Sequence, residues 1–281
     1  MSVIGNTDKM DAVISSLGVV NYTLKVGDAK IDMNALIGKS ITIRHTTTIN
    51  CTECGRVTKE SYRGSGFCRL CSNTLAKADA CRISPEKCHY EAGTCREPKW
   101  GEQNCLTPHI VYVSDTGQRK IGITRHANDE VSSRWIDQGA TSAVAIISTS
   151  NRFLSGEVEV ICKKYISDRT NWRKMLQDIP SDDIMEIFIK EFKALIYGEI
   201  EELRAKHGLL AIQWIENPII QNINYPVLKY PTKVKSVNLD KLLTFTGTLC
   251  GIKGQYFLFD DDSVMNIRKY AGYEIELTVN D

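Results

Sequence analysis

Two pairs of cysteines have the spacing of a zinc-binding site. Cys51 and Cys54 form one Cys-x-x-Cys pair, Cys68 and Cys71 form another, and thirteen residues that include three glycines separate the pairs. Each pair offers two thiolates from one tight turn, and two such turns complete a tetrahedral Zn²⁺ site with no open position. Free thiols or a redox pair are the alternative, but a single Cys-x-x-Cys would suit redox work. The spacing therefore predicts a structural zinc ribbon.

Four more cysteines follow in a loop-rich segment with two prolines and two glycines. They are Cys81, Cys88, Cys95 and Cys105. A bound metal would supply the folding energy that such a segment lacks. The intervals of six, six and nine residues match no common ribbon, so a second Zn²⁺ and an iron–sulfur cluster both remain open, and the neighbouring ribbon favours zinc. His89 and His109 are either substitute ligands or ordinary polar residues.

A third set of residues has the chemistry of phosphodiester cleavage. In-line cleavage needs a positioned water, a cation on the non-bridging oxygens and stabilisation of the leaving oxygen. Tyr112 and Lys120 would share the handling of water, and Arg134 would clamp the phosphate with its planar fork. Glu159 would hold Mg²⁺, a hard cation that accepts one carboxylate and keeps several waters. Glu157, two residues away on another helix face, is the alternative ligand.

These residues fall on a predicted hairpin, two helices and a strand. The predicted elements are strands at Ile110–Val113 and Lys120–Thr124 around a turn at 115–117, a helix at Asp129–Trp135, a strand at Ala143–Ser148 and a helix at Gly156–Ser167. Without a shared site, Tyr112 would be an ordinary strand aromatic, Arg134 a solvated helix charge and Glu159 a surface carboxylate.

The order of these elements resembles the GIY-YIG nuclease superfamily. Matched by position, Tyr112 falls at the first tyrosine, Lys120 at the second, Gly122 at the glycine, Arg134 at the arginine, Glu159 at the glutamate with Lys163 one turn on, and Asn171 at the asparagine. The resemblance covers about sixty-five residues. It implies an α/β core with a Mg²⁺-dependent endonuclease site formed by these residues.

The chain departs from that family at two positions. Lys120 stands where the second tyrosine is usual, and the glycine that normally precedes the first tyrosine is missing. A lysine can still orient or deprotonate a water if neighbouring cations lower its pKa. The lysine is therefore expected to take over part of the second tyrosine's work.

The rest of the chain is predicted to be mostly β, which gives an α+β protein. Val19–Ile31 and Ser40–Thr46 alternate apolar and polar residues, Ser181–His207 has helical spacing, and five short strands follow residue 233. The predicted units are an N-terminal β segment (1–50), a cysteine-rich metal-binding region (51–108), a GIY-YIG-like core (109–178), an amphipathic helix (179–210) and a C-terminal β region (211–281). The last region is expected to form a small sheet or barrel, which would pair with the N-terminal strands.

The composition and charge of the chain indicate which classes of partner it can bind. With 42% hydrophobic and 25% charged residues and a net charge of +1, the chain is an ordinary globular protein. Between 119 and 174, however, ten Lys and Arg face six Asp and Glu, which predicts a local site for DNA or RNA. No secretory signal or membrane span is recognisable, so a cytoplasmic protein without a membrane partner is expected.

A second resemblance extends over nearly the whole length. Phrases such as SPEKCH, GTCREP, RWIDQGA and GIKGQY are similar to those of an uncharacterised bacterial and archaeal family, which brings no known activity. Besides a zinc-containing nuclease, two hypotheses therefore stay open. One is a non-catalytic nucleic-acid-binding module associated with tRNA or the ribosome, and the other is a metal or redox sensor that uses Cys81–Cys105.

Overall fold

The computed structural model describes residues 1–125 and 131–280, which form three β-sheets and several helices. The strands are β1 (Ser2–Asn6), β2 (Asp11–Ile14), β3 (Val20–Val26), β4 (Ala29–Asp32), β5 (Ser40–Ile49), β6 (His109–Asp115), β7 (Arg119–Thr124), β8 (Ser142–Thr149), β9 (Ile212–Trp214), β10 (Ile220–Asn222), β11 (Lys235–Ser236), β12 (Thr244–Lys253), β13 (Tyr256–Phe259), β14 (Ser263–Asn266) and β15 (Tyr273–Val279). The α-helices are α1 (Arg69–Thr74), α2 (Pro98–Asn104), α3 (Ser133–Asp137), α4 (Arg152–Cys162), α5 (Trp172–Leu176), α6 (Met185–His207) and α7 (Leu239–Leu242). The predicted α+β class is confirmed.

The predicted hairpin forms one side of a five-stranded sheet, with β7 as the edge strand. β6 pairs antiparallel with β7 on one side and with β8 on the other, and β8 also pairs with β9 and β10. Alternate residues of a strand point to opposite faces of the sheet. Val111 and Val113 accordingly share an apolar core with α4 and α6, whereas Tyr112 packs against Trp135 in a second core.

Helix α4 begins earlier and ends earlier than the sequence pattern predicted. The side chain of Asn151 accepts a hydrogen bond of 2.9 Å from the backbone N–H of Leu154, which caps the helix at its first turn. The helix ends at Cys162, and the chain then turns so that Ser167 bridges to Lys120 on the edge of β7. This turn brings residues 167–170 beside the hairpin.

The other two predicted helices differ in how far the structure tests them. The helix expected at Asp129–Trp135 is found as α3, which the hydroxyl of Ser132 caps, and its predicted first two residues lie outside the described residues. The long amphipathic helix is confirmed as α6. It buries Ile189, Phe192, Ile196 and Ile200 on one face and ends at Gly208, which has a φ of +104°.

Strands from both ends of the chain join in a seven-stranded sheet of order β1-β15-β5-β12-β13-β14-β11. The pairing of C-terminal with N-terminal strands is therefore confirmed, through β15 on β1 and β5 and through β12 on β5. A three-stranded sheet, β2-β3-β4, completes the β structure of the described residues. Among the helices within residues 1–125 and 131–280, none has both the length and the apolar character that crossing a membrane requires.

The cysteine-rich region forms short helices and turns that pack on α4. The turn at Pro85–Lys87 meets that helix at Gly156, where an added Cβ would lie 2.4 Å from the backbone nitrogen of Glu86. Only a glycine permits so close an approach of two backbones. The region is thereby joined to the helix that carries Glu159.

Candidate functional site

The two Cys-x-x-Cys pairs converge on one point, as the sequence predicts. The sulfur atoms of Cys51, Cys54, Cys68 and Cys71 all lie within 4.8 Å of one another, and those of Cys54 and Cys68 are 3.9 Å apart. A tetrahedral Zn²⁺ with Zn–S bonds of about 2.3 Å separates its sulfurs by about 3.8 Å. These four thiols can therefore hold a metal ion, and their spacing is compatible with zinc.

Local backbone structure presents these thiols. Gly55 turns the chain after the first pair with a φ of +70°, and its N–H donates to the carbonyl of Cys51. Cys68 caps α1 by accepting from the N–H of Cys71. Burial raises the pKa of the Cys51 thiol, but hydrogen bonds with the backbone N–H groups of Cys54, Cys68 and Glu53 outweigh burial and lower it to about 6. The surroundings of Cys51 thus favour its thiolate, whereas burial raises the pKa of the Cys71 thiol to about 12.

The second set of cysteines surrounds a small cavity of about 20 Å³. Its lining includes Asp79, Cys81, Cys88, His89, Cys95 and Cys105. The ligand atoms of Asp79, Cys81 and His89 lie within 4.8 Å of one another. Burial and the charge of Asp79 raise the pKa of the Cys81 thiol to about 11. His89, one of the two proposed substitute ligands, therefore lies at this cavity.

His109, the other proposed substitute ligand, lies on β6. Its side chain is fully buried, and its Nδ1 lies 2.7 Å from the carbonyl oxygen of Thr107. It does not belong to the described cavity lining. The polar interpretation therefore suits His109 better than the ligand interpretation.

Tyr112 and Lys120 lie on one face of the hairpin. Tyr112 pairs across the strands with Gly122, and Lys120 pairs with Ser114, so alternation places both side chains on the same side. The Tyr112 hydroxyl donates a hydrogen bond of 3.0 Å to Oε1 of Gln138. Burial raises the pKa of Tyr112. The charge of Arg134 and its hydrogen bond offset only part of this rise.

Lys120 is a buried amine with a lowered pKa. Its side chain is 4% exposed, and its Nζ lies 3.2 Å from Oγ1 of Thr170, to which it donates a hydrogen bond. Burial first, and the charge of Arg134 second, lower the pKa of Lys120 to about 8, although the charges of Asp168 and Glu159 oppose this shift. An amine of this pKa is partly neutral near physiological pH and can accept a proton.

The charge of Glu159 acts on this amine, whereas Glu157 points elsewhere. Glu159 is 8% exposed, and burial raises its pKa while the nearby Lys163 lowers it. The Nζ of Lys163 is 3.3 Å from the Glu159 carboxylate and 3.1 Å from that of Asp168. Glu157 instead places its carboxylate 2.8 Å from Nε2 of His207 on α6. The two glutamates therefore face different surroundings.

Arg134 and Asn171 have different surroundings from each other. Arg134 is exposed on α3, and its charge acts on Tyr112, Lys120 and Glu159. Asn171 is exposed and caps α5, since its Oδ1 accepts a hydrogen bond of 3.3 Å from the N–H of Lys174. Among the described contacts, Asn171 thus acts on the backbone of α5, and its neighbour Thr170 contacts the Lys120 amine.

Sequence reasoning did not single out Gln138, Asp168 or Thr170 as site residues. Asp168 and Thr170 belong to the polar run that follows α4, and the only available signal was their proximity in sequence to Asn171. Gln138 follows α3 at a turn, and the phrase RWIDQGA that contains it indicates no role for this residue. Their contacts depend on the fold and not on local spacing.

The comparisons with known proteins give a family for this chain. Residues 38–275 match the family model described as a protein of unknown function (DUF2797). No curated protein and no solved structure matches the chain. The match extends over both cysteine clusters, the hairpin, α4 and most of the seven-stranded sheet. The chain therefore belongs to the family described as a protein of unknown function (DUF2797).

Proposed function

We propose that this protein is a zinc-containing, Mg²⁺-dependent phosphodiesterase that cleaves nucleic acid at the hairpin. The observation that carries the proposal is the buried Lys120 amine with its pKa of about 8. Burial and the charge of Arg134 lower this pKa, and the charge of Glu159 opposes them. Burial disfavours the charged form of a lysine and so lowers its pKa. Perturbed groups of this kind concentrate at functional sites.

Each group has a role that its surroundings support. The neutral amine of Lys120 accepts a proton from the attacking water, and the Tyr112 hydroxyl orients that water. The exposed guanidinium of Arg134 binds the non-bridging oxygens of the phosphate through its planar fork. Because Thr170 accepts a hydrogen bond from Lys120, it fixes the direction of the amine.

The carboxylates of Glu159 and Asp168 fit a divalent cation. Both lie within 3.3 Å of one ammonium, that of Lys163, so they border a single position suited to positive charge. Mg²⁺ is commonly held by one or two carboxylates and several waters. When bound, the ion supplies charge stabilisation to the phosphate oxygens. Glu159 and Asp168 would hold it, and Lys163 would move aside.

Zinc has a structural role in this proposal. A Zn²⁺ at Cys51, Cys54, Cys68 and Cys71 would close the ribbon. A second Zn²⁺ in the cavity lined by Cys81, Cys88, Cys95 and Cys105 would fold the segment that packs on α4. An iron–sulfur cluster at the second position is the alternative, and it would give the protein a colour.

The resemblance to GIY-YIG nucleases adds support. In sequence order, the matched tyrosine, lysine, glycine, arginine and glutamate occur on the hairpin, on α3 and on α4. β6 lies between β7 and β8, and pairing on both sides holds the side chains of this strand rigidly.

Lys163 also favours a second function. Its ammonium already neutralises Glu159 and Asp168. A protein that keeps this ion pair would bind nucleic acid through Arg134 and its neighbours without cleaving it. Under this reading the fold is a non-catalytic binding module.

Labelled DNA and RNA, incubated with the protein in Mg²⁺ or in EDTA, separate the two functions. The phosphodiesterase predicts product only with Mg²⁺ and loss of product in Arg134→Ala. Binding without product under any condition would overturn the nuclease and support the module. A matched control is Arg44→Ala, because Arg44 is paired with Glu276 on the seven-stranded sheet.

A further inference from the structure

Four arginines meet where the cysteine-rich region joins the core. Arg82 comes from the cysteine-rich region, Arg125 follows β7, Arg134 belongs to α3 and Arg152 begins α4. Nη2 of Arg152 donates a hydrogen bond of 2.7 Å to the carbonyl of Arg82. The backbone N–H of Arg152 donates one of 2.8 Å to the carbonyl of Cys105.

Two further contacts complete this junction. The guanidinium of Arg125 hydrogen-bonds to the side chain of Asn104 at the end of α2. The guanidinium of Arg82 lies 5.6 Å from the centre of the Trp100 ring, within the range of a cation–π contact. The cysteine-rich region therefore contributes Arg82, and it also contacts the side chains of Arg125 and Arg152.

These guanidinium groups lack anionic partners among the described residues. Within residues 1–125 and 131–280, no carboxylate lies within ion-pair distance of Arg82, Arg125, Arg134 or Arg152. The Nε atoms of Arg82 and Arg152 are buried and have no hydrogen-bond partner in this part of the chain. A buried donor without a partner costs free energy, which a bound acceptor would recover.

The charges of the arginines act on one another. The charges of Arg125 and Arg134 act on Arg82, and a charge on Cys105 would oppose them. The charge of Arg82 likewise acts on Arg152, and a charge on Cys105 would oppose it. The mutual repulsion favours an anion at the junction, because an anion would relieve it.

His109 lies at the same junction and adds no charge. Burial lowers its pKa, a hydrogen bond to the Thr107 carbonyl raises it, and the charges of the nearby arginines lower it, with a net pKa of about 4. Its buried Nε2 has no hydrogen-bond partner among the described residues. The neutral imidazole therefore leaves the guanidinium groups as the source of positive charge.

We propose that Arg82, Arg125, Arg134 and Arg152 form a binding site for the backbone phosphates that flank the scissile phosphate of a nucleic acid. This inference rests on the proposed function, since Arg134 belongs to both sites and makes them continuous. Guanidinium forks are suited to phosphate oxygens and carry no base preference. The cysteine-rich region, with its bound metal, is thereby part of the substrate-binding surface as well as a brace for α4.

The test measures binding separately from cleavage. Fluorescence anisotropy of a labelled single-stranded oligonucleotide is recorded over a range of salt concentrations, with Glu159→Gln as the parent so that the substrate stays intact. Arg82→Gln and Arg152→Gln are each expected to bind about tenfold more weakly. Each should also reduce the slope of log affinity against log salt by about one.

Two control variants separate the loss of a specific phosphate contact from a general loss of charge or of folding. Arg44→Gln removes an equal charge from the seven-stranded sheet and should bind like the parent. Arg82→Lys keeps the charge and should restore the salt slope while recovering only part of the affinity. Since Arg82 follows Cys81, the zinc content of its variants is measured, and Arg152→Gln decides the outcome if Arg82→Gln loses metal.

The possible results separate this inference from the proposed function. Binding by Arg82→Gln and Arg152→Gln that equals that of Arg44→Gln overturns the arginine site, even if the wild-type protein cleaves. Weakened binding in both variants together with a wild-type protein that never cleaves supports the arginine site and overturns the nuclease.

Discussion

The side chain of Tyr112 lies directly against the α-carbon of Gly122 on the neighbouring strand. A Cβ added at Gly122 would lie 2.5 Å from the Tyr112 hydroxyl oxygen and 2.6 Å from the ring carbon that bears it. The glycine is therefore needed because of its partner across the hairpin and not because of an unusual backbone angle. This contact holds the phenol above the strand that also carries Lys120.

Gly122→Ala is expected to displace Tyr112. The added methyl group overpacks a site in which Tyr112 is fully buried, which should cost about 1–3 kcal/mol of unfolding free energy. Chemical denaturation measures this change. Gly198→Ala is the matched control, because Gly198 is exposed on α6 and its added Cβ would meet no atom within 4 Å. This substitution should stabilise the protein by about 0.5–1 kcal/mol. Equal effects of the two substitutions would contradict the described contact.

The rate of cleavage should follow the protonation of Lys120. Burial and Arg134 lower the pKa of this amine to about 8, and only the neutral amine accepts a proton. The logarithm of the rate should therefore rise by about one per pH unit below pH 8 and level off above it. Lys120→Arg stays protonated and should be inactive across this range. A flat profile in the wild-type protein would exclude Lys120 as the base.

Lys120→Met should stabilise the protein at neutral pH. The pKa of Lys120 is about 8 in the folded protein and about 10.4 in an unfolded chain, so folding disfavours its charged form. The penalty is fully present below pH 8, shrinks between about pH 8 and 10.4 and vanishes above that range. At pH 7 its removal should raise the unfolding free energy by about 1–3 kcal/mol. Thermal unfolding of both proteins at pH 7 and pH 10 checks the sign, since the difference should be smaller at pH 10.

Metal content should fall in steps when single cysteines are replaced. The purified protein is expected to be colourless and to hold two zinc ions. Cys68→Ala and Cys88→Ala should each lose one of them, because each removes a thiol from a different cluster. Cys250→Ala is the control, since Cys250 lies on β12 outside both clusters. Elemental analysis counts zinc and iron per chain. Iron with a visible absorption band would contradict zinc at the second cluster.

Much of the fold follows from local patterns. The hairpin is recognisable because β-branched and aromatic residues at 110–113 precede the turn at Asp115-Thr116-Gly117, where Gly117 has a φ of +81°. The convergence of Cys51, Cys54, Cys68 and Cys71 is recognisable for a similar reason, since two Cys-x-x-Cys turns need only one arrangement to share a metal. Helix α6 shows its buried stripe and its terminal Gly208 directly in the sequence.

The start of α4 and the contacts of the site could not be read in that way. Arg152-Phe153-Leu154 follows a polar run at 148–151 and shows no helical repeat by itself, so the helix start depends on the cap formed by Asn151. The contact of Lys120 with Thr170 requires the turn after α4 to return to the edge of β7. Such contacts join residues about fifty positions apart, which no periodic pattern records.

The most direct test compares two glutamates on one helix. Glu159 lies beside Lys163 and Asp168 near the Lys120 amine, whereas Glu157, two residues earlier, pairs with His207. The measurement is the Mg²⁺-dependent rate at which Glu159→Gln and Glu157→Gln cleave a labelled oligonucleotide. The proposed site predicts that Glu159→Gln loses at least about a hundredfold in rate and Glu157→Gln keeps the wild-type rate. Equal rates in the two variants, or no cleavage by the wild-type protein, would contradict a phosphodiesterase centred on Glu159.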